Sequence, residues 1–488
     1  MKARIRWERW GPLTLILMLG VALRVWCWVG PDMAWLSDES RFATVVKNMT
    51  NGYLPDGPTE WFGTRAVLLA PAALFMRLFG ASDVSVSIWP FIGSMGAVLM
   101  AYLLGRDLAN RGVGLMAAGL VAAAPIEVRL SGFLRPDAIM PAFVALSVWC
   151  ALRAARSESH ATRWAVGGGL ALGAGWSVRE SALIMAPVVI AAAWPVLRRV
   201  IVPGIIGAVS VPLTTALVWV LLGGSAMAPI SSAGGELAYR NPIAAWNWSE
   251  SYTSQLLHGA LRPNDLLFFA GPVVVATLSV HWFREERRAI LPMVWLAWAF
   301  FYLEFGTLLN VTKPYRYLTL CVIPAAILVA LALDGLDVRV AVVAATVLSV
   351  WVLSSLPIRR YRSDDVVLLS RVSAQLAKLP AGPIATESYT WWTKLHIYRA
   401  TSRLTVPKAE DPAFSTPARI RQLRQMTPLP LVTDARYLVT GPVHPRGGWP
   451  KNWSQYRETV PSTEGLELVA DLGRAQIWRL PVTNAVAP

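Results

Sequence analysis

The sequence predicts an α-helical polytopic membrane protein of about eleven spans, followed by a small α/β domain. Three observations carry that expectation. The mean hydropathy is +0.46, and 55% of the residues are hydrophobic. Only 15% are charged, against about 25% in soluble globular domains. The apolar residues fall in long runs separated by short Arg-rich breaks, as membrane spans do.

Taken in order, the apolar runs place spans at Pro12–Val29, Ser85–Leu104, Gly112–Ile126, Ala138–Leu152, Trp164–Val178 and Ala182–Leu197. They continue at Val200–Leu222, Asp265–Phe283, Ala289–Leu303, Tyr317–Leu333 and Arg339–Leu356. The first run follows Lys2, Arg4, Arg6 and Arg9. It is long for a signal peptide, contains Arg24 and lacks a small-residue cleavage site, so it reads as an uncleaved span. Ala66–Gly80 is apolar but short for a span and reads as a helix lying in the interface.

The basic N-terminus sets the orientation. With it on the cytoplasmic side, the inner loops are Arg106–Arg111, Arg153–Arg163, Arg198–Arg199, Arg284–Arg288 and Asp334–Asp337. All but the last are rich in Arg, as the positive-inside rule asks. The outer face then holds a first loop over 30–84, a loop over 127–137, a longer one over 223–264 and a short one over 304–316. This divides the chain into a transmembrane unit, 1–356, and a soluble extracytoplasmic unit, 357–488.

The second unit is richer in charge and proline and has no long apolar run. Gly382-Pro-Ile-Ala-Thr, Arg436-Tyr-Leu-Val-Thr-Gly and Leu466–Leu480 read as strands, the last a hairpin turning at Asp471-Leu-Gly. Asp364–Leu379 has helical spacing. The net charge of +15 sits largely at the ends of apolar runs, so it reports topology and not a nucleic-acid partner. Cys27, Cys150 and Cys321 all lie in apolar runs and read as packing residues.

Four clusters carry chemistry. Asp38-Glu39-Ser40-Arg41-Phe42-Ala43 follows the first span. Its carboxylates could serve as a general base toward a hydroxyl, or hold a divalent metal beside phosphate; a helix N-terminus would also want acids there. Leu134-Arg135-Pro136-Asp137-Ala138 opens the fourth span. Arg135 can pair a phosphate oxygen, and Asp137 can orient it, approach the same metal or cap the helix. Arg179-Glu180 lies between the fifth and sixth spans, as an anion site or as a local pair at an exposed turn. Lys313-Pro314-Tyr315-Arg316-Tyr317 puts two cations among tyrosines, which suits a lipid phosphate or an ordinary aromatic belt. Asp38, Asp137, Arg65, Arg135, Arg179, Lys313 and Arg316 all fall on the outer side, where the rule predicts fewer cations. One shared anionic ligand accounts for them.

These motifs resemble the GT-C type of polyprenyl-phosphate-dependent glycosyltransferases, and are similar to the protein O-mannosyltransferase and lipid A aminoarabinose transferase group. The resemblance rests on Asp38 to Ala43, Phe79-Gly80, the span ending Tyr102-Leu-Leu-Gly-Arg106, Leu134-Arg-Pro-Asp137, Arg179-Glu180 and Arg316-Tyr-Leu. It implies a GT-C-like fold and a polyprenyl-phosphate-linked sugar donor. It also implies an inverting transfer to a lipid, glycan or protein acceptor at the outer face of a bacterial inner membrane. Asp38 would be the general base, with Glu39 and Asp137 supporting it, and a divalent cation, magnesium or manganese, near Asp38 and Asp137. Arg65 matches a lysine that binds carrier phosphate in that group, although Ala66 stands where that group has proline. No nucleotide cofactor is expected. Two other readings fit a membrane protein of this layout. One is a flippase or transporter of lipid-linked sugar, which would show internal repeats. The other is an outer-leaflet polysaccharide polymerase or ligase, with His258 in the loop over 223–264.

Overall fold

The computed structural model describes residues 2–26, 38–50, 65–80, 82–221 apart from 158, 287–308 and 318–334, with short pieces farther on. Among the described residues the chain runs α1 Lys2–Trp26, α2 Asp38–Thr50, α3 Ala66–Phe79, α4 Asp83–Leu108 and α5 Arg111–Ala123. It continues as α6 Pro125–Leu130, α7 Pro136–Arg156, α8 Ala161–Val178, α9 Ala186–Ala193, α10 Leu197–Leu221, α11 Ile290–Leu308 and α12 Thr319–Asp334. Among the described residues, three helical stretches, Val84–Leu108, Pro136–Arg156 and Glu180–Leu221, are long and apolar enough to cross a membrane.

Local chemistry sets the boundaries. Ser82 caps α4 in a reciprocal capping box with Ser85, and Asn110 accepts from the Val113 amide to start α5; each satisfies amides that a helix start leaves orphaned. Pro136 opens α7, with Asp137 in its first turn and Arg153 and Arg156 in its last, the arrangement the helix dipole favours.

Pro125 corrects the third expected span, which was to run to Ile126. Proline cannot donate to the ladder and pushes its predecessor out of the helical region. Ala124 sits at φ −58, ψ 119, so α5 stops at Ala123 and a new helix starts at Pro125. The first residues of the expected outer loop over 127–137, Glu127 to Leu130, therefore belong to helix α6, in which Ile126, Glu127, Val128 and Leu130 are buried. The sixth expected span begins as a 3-10 helix, Glu180–Met185, before α9.

Packing depends on small residues. A Cβ built on Gly93 would lie 2.8 Å from Ile139 Cα, and one on Gly96 3.3 Å from Ala142 Cβ. Farther along, Asp107 pairs with Arg153 at 2.6 Å. The offset between partners is the same at all three contacts, so α4 and α7 run parallel. α8 and α10 are parallel by the same test: a Cβ on Gly169 would meet Gly204 O at 2.1 Å, and one on Gly173 would meet Ala208 O at 2.3 Å. The chain therefore reverses between α8 and α10, and Arg198 and Arg199 lie at the end where α8 begins. This agrees with the short Arg-containing break expected there.

Of the spanning stretch in α7, 67% is buried, against 17% in Glu180–Leu221. α7 is thus interior. α10 presents Val202, Ile205, Ile206, Leu213, Leu217 and Leu221 outward, a surface suited to lipid. α3 matches the expected short apolar helix. Leu68, Leu69, Ala72 and Met76 form its buried face, while Leu74 and Leu78 are exposed.

The expected strands form a four-stranded sheet in the order β1-β2-β4-β3, from Ile384–Thr386, Tyr437–Thr440, Glu467–Asp471 and Gln476–Arg479. β1 and β2 are parallel and the other pairs antiparallel. The β3–β4 hairpin turns at Gly473, whose φ of 79° suits glycine, and the Asp471 carboxylate accepts the Gly473 amide at 2.8 Å. The expected spans Asp265–Phe283 and Arg339–Leu356, and all but short pieces of the expected helix Asp364–Leu379, lie outside the described residues.

Candidate functional site

Two expected clusters meet directly. Asp137 opens α7 and Arg179 caps the end of α8, and these helices pack antiparallel. Arg179 Nη1 donates to Asp137 Oδ1 at 2.8 Å, with side-chain exposures of 10% and 1%. The local Arg179–Glu180 pair considered from sequence is thus replaced by a pairing across helices. Arg179 is extended, at φ −163 and ψ 136, which turns its side chain toward α7 and passes Glu180 into the following 3-10 helix.

Glu180 faces a different partner. Arg65, the residue before α3, donates from Nη2 to Glu180 Oε2 at 3.4 Å. Arg65 is 4% exposed, and its guanidinium carbon lies 5.5 Å from the centroid of the Phe42 ring, within reach of a cation–π attraction. Trp89 of α4 fixes the start of α3 by donating from Nε1 to Val67 O at 2.9 Å. Phe42, Ala43 and Val46 are the buried face of α2.

Phe42 connects this group to the Asp-Glu motif. Asp38 and Glu39 form the first turn of α2, so the helix dipole favours acids there. Asp38 lies four residues before Phe42 and so shares its helix face. The backbone therefore places Asp38 about one turn from the residue beneath Arg65. Toward the other end of α2, burial lowers the half-buried Lys47 ammonium below the usual lysine range.

Arg135 is half-buried immediately before α7, at φ −132 and ψ 145. The structure thus joins Arg65, Asp137, Arg179 and Glu180, with Arg135 two residues from the buried pair. His258, Lys313, Tyr315 and Arg316 lie outside the described residues. The Asp137 carboxylate, where the sequence reading placed a possible divalent cation, receives the Arg179 guanidinium on Oδ1. Among the described residues no group of three His, Cys, Asp or Glu side chains gathers as metal ligands.

Sequence reasoning missed two features here. One is the Arg65–Phe42 contact. The other is a buried network of Arg24, Ser94 and Glu127, whose members come from three helices. Arg24 and Glu127 were visible as charges in or beside apolar runs, but no spacing rule joins them.

Comparison with known proteins follows the same lines. Residues 67–221 match the model of the dolichyl-phosphate-mannose-protein mannosyltransferase family, a stretch that runs through α3 to α10 and includes Asp137, Arg179 and Glu180. No curated protein sequence matches the chain. ArnT from Cupriavidus metallidurans in the apo state aligns with a TM-score of 0.61 at 15% identity, over 97% of this chain and 98% of that one. The chain shares the ArnT fold. The form of ArnT bound to undecaprenyl phosphate aligns with the same TM-score at 13% identity, over 98% and 99% of the two chains. The archaeal oligosaccharyltransferase AglB from Archaeoglobus fulgidus, in complex with an inhibitory peptide and a dolichol-phosphate, aligns at 0.51 and 11% identity, over 89% of this chain and 70% of AglB. The ArnT alignments run nearly end to end in both chains.

Proposed function

We propose that this chain is a membrane glycosyltransferase that moves a sugar from a polyprenyl-phosphate carrier to a lipid, glycan or protein acceptor. The carrying observation is the meeting, at one end of the helix bundle, of charged groups from separate segments. Arg179 pairs with Asp137, and Arg65 pairs with Glu180 while its guanidinium lies over Phe42 of the Asp-Glu helix. The mannosyltransferase family match and the ArnT fold support the reading.

The chemistry suits such a site. A sugar on a polyprenyl phosphate is already activated. The Asp38 carboxylate takes the proton of the acceptor hydroxyl, and the freed oxygen attacks the anomeric carbon. The bond from that carbon to the phosphate oxygen breaks with inversion, and its electron pair leaves on the carrier phosphate. Arg65, Arg135 and Arg179 stabilise that charge from positions set before reaction. Lys313, Tyr315, Arg316 and His258, which the sequence reading assigns to the same outer side, would add to the groups that bind the carrier phosphate or sugar. Glu39 and Asp137 hold the base and the arginines in place. Were a magnesium or manganese ion bound, Asp38 and Asp137 would be the residues to hold it, and it would supply further positive charge to the departing phosphate.

In this reading eleven spans cross a bacterial inner membrane, with the N-terminus cytoplasmic. The site and the α/β unit 357–488 then face the opposite side. The test is Asp38→Ala. It should reduce sugar transfer from undecaprenyl-phosphate donors by at least about a hundredfold, the size of a lost general base, while the protein inserts and purifies normally. Transfer at the wild-type rate would remove Asp38 from the mechanism.

A further inference from the structure

Two of the buried serines of α4, Ser87 and Ser94, lie about two turns apart on one face, and both hold the segment leading to Arg135 and Asp137. Ser87 donates to Gly132 O at 2.7 Å. Ser94 donates to Glu127 Oε2 at 2.9 Å and lies 3.2 Å from Glu127 O. Between them, Gly93 lets α4 approach the backbone of Ala138 and Ile139. The whole stretch from Glu127 to Ile139 is thus laid against α4.

Arg24 fixes the other side. It is 1% exposed, near the end of α1. Nε and Nη2 donate to Ser94 Oγ at 3.1 and 2.8 Å, and Nη1 donates to Gly20 O and Ala122 O at 3.1 and 3.0 Å. Ala122 O belongs to the last turn of α5, where Pro125 ends the helix and leaves carbonyls to be satisfied. A serine hydroxyl has one proton and two lone pairs, and Ser94 uses all three, accepting twice from Arg24 and donating to Glu127. It therefore relays between a cation and a carboxylate, both costly in an apolar interior. Simple helix packing would need none of these polar groups.

We infer that Ser87, Ser94 and Arg24 are positioning residues. They clamp the α5–α6 break and the turn over 131–135, and so fix where Arg135 and Asp137 stand relative to Arg179. This rests on the proposed carrier-phosphate site and deepens it.

The test uses the full chain in detergent, with undecaprenyl phosphate as the probe in native mass spectrometry and the folded fraction measured by size exclusion. Ser87→Ala should weaken undecaprenyl-phosphate binding three- to tenfold with the folded fraction unchanged, and Ser87→Thr, which keeps the hydroxyl, should restore it. Ser94→Ala should weaken binding further among the molecules that remain folded. Arg179→Ala tests the site itself. If it binds as wild type, or if the wild-type chain does not bind, the site reading falls and this inference with it. If Arg179→Ala loses binding while both serine variants bind as wild type, or lose only folded protein, the positioning inference alone is overturned.

Discussion

Removing Arg179 should cost more than removing its partner. In the structure Asp137 is 0% exposed and Arg179 8%, joined at 2.8 Å. Breaking a buried pair from one side costs about 3–5 kcal/mol, because a charge stays behind in an apolar setting. Arg179→Ala takes this cation from the shorter, deeper group: Asp137 cannot reach water, so the cost should fall within that range. This is about two to three and a half powers of ten in the unfolding equilibrium, at about 1.4 kcal/mol per decade. Asp137→Ala leaves a guanidinium on a long stem, whose head can move toward solvent, so its cost should be about half as large. The double variant should be less destabilised than the sum of the singles by about 0.5–3 kcal/mol. Denaturation in mixed micelles, followed by tryptophan fluorescence across the four proteins, measures this cycle. Additive losses, or an Asp137→Ala variant less stable than Arg179→Ala, would refute the reasoning.

Two further outcomes follow from the packing and from Arg65. Gly169→Val should separate α8 from α10, because even a Cβ at this position would lie 2.1 Å from Gly204 O; backbone cannot yield as a side-chain tip can, so a loss of at least about 2 kcal/mol, seen as reduced folded yield, is expected. Gly119→Ala, with nothing within 4 Å of its added Cβ, is the matched control. Arg65→Lys keeps the charge but not the planar guanidinium that lies over Phe42; it should weaken donor binding about three- to tenfold, read as a raised KM with the protein still folded, and an unchanged KM would show that charge alone suffices there.

Much of the fold is legible in the sequence because hydropathy, caps and prolines act over a few residues. The α3 helix, the first halves of the bundle's spans and the Asp471-Leu-Gly hairpin could each be read from their own segments. So could the suspicion that Asp137, Arg65 and Arg179 belong together, since one topology put them on one side. Pro125 was equally readable, and its effect was missed only because the hydropathy of the run continues past it.

The pairings themselves belong to the tertiary structure. Arg179 takes Asp137, 42 residues away, in place of its neighbour Glu180, and Glu180 takes Arg65, 115 residues away. Arg24 finds Ser94 across 70 residues. A charged side chain chooses its partner by distance and desolvation in the packed bundle. Helix contacts at Gly93, Gly96 and Gly169 set those distances, bringing together backbones that the sequence keeps far apart. Sequence determines which segments become helices and which ends carry charge; only the packing of glycine against backbone decides which charges meet.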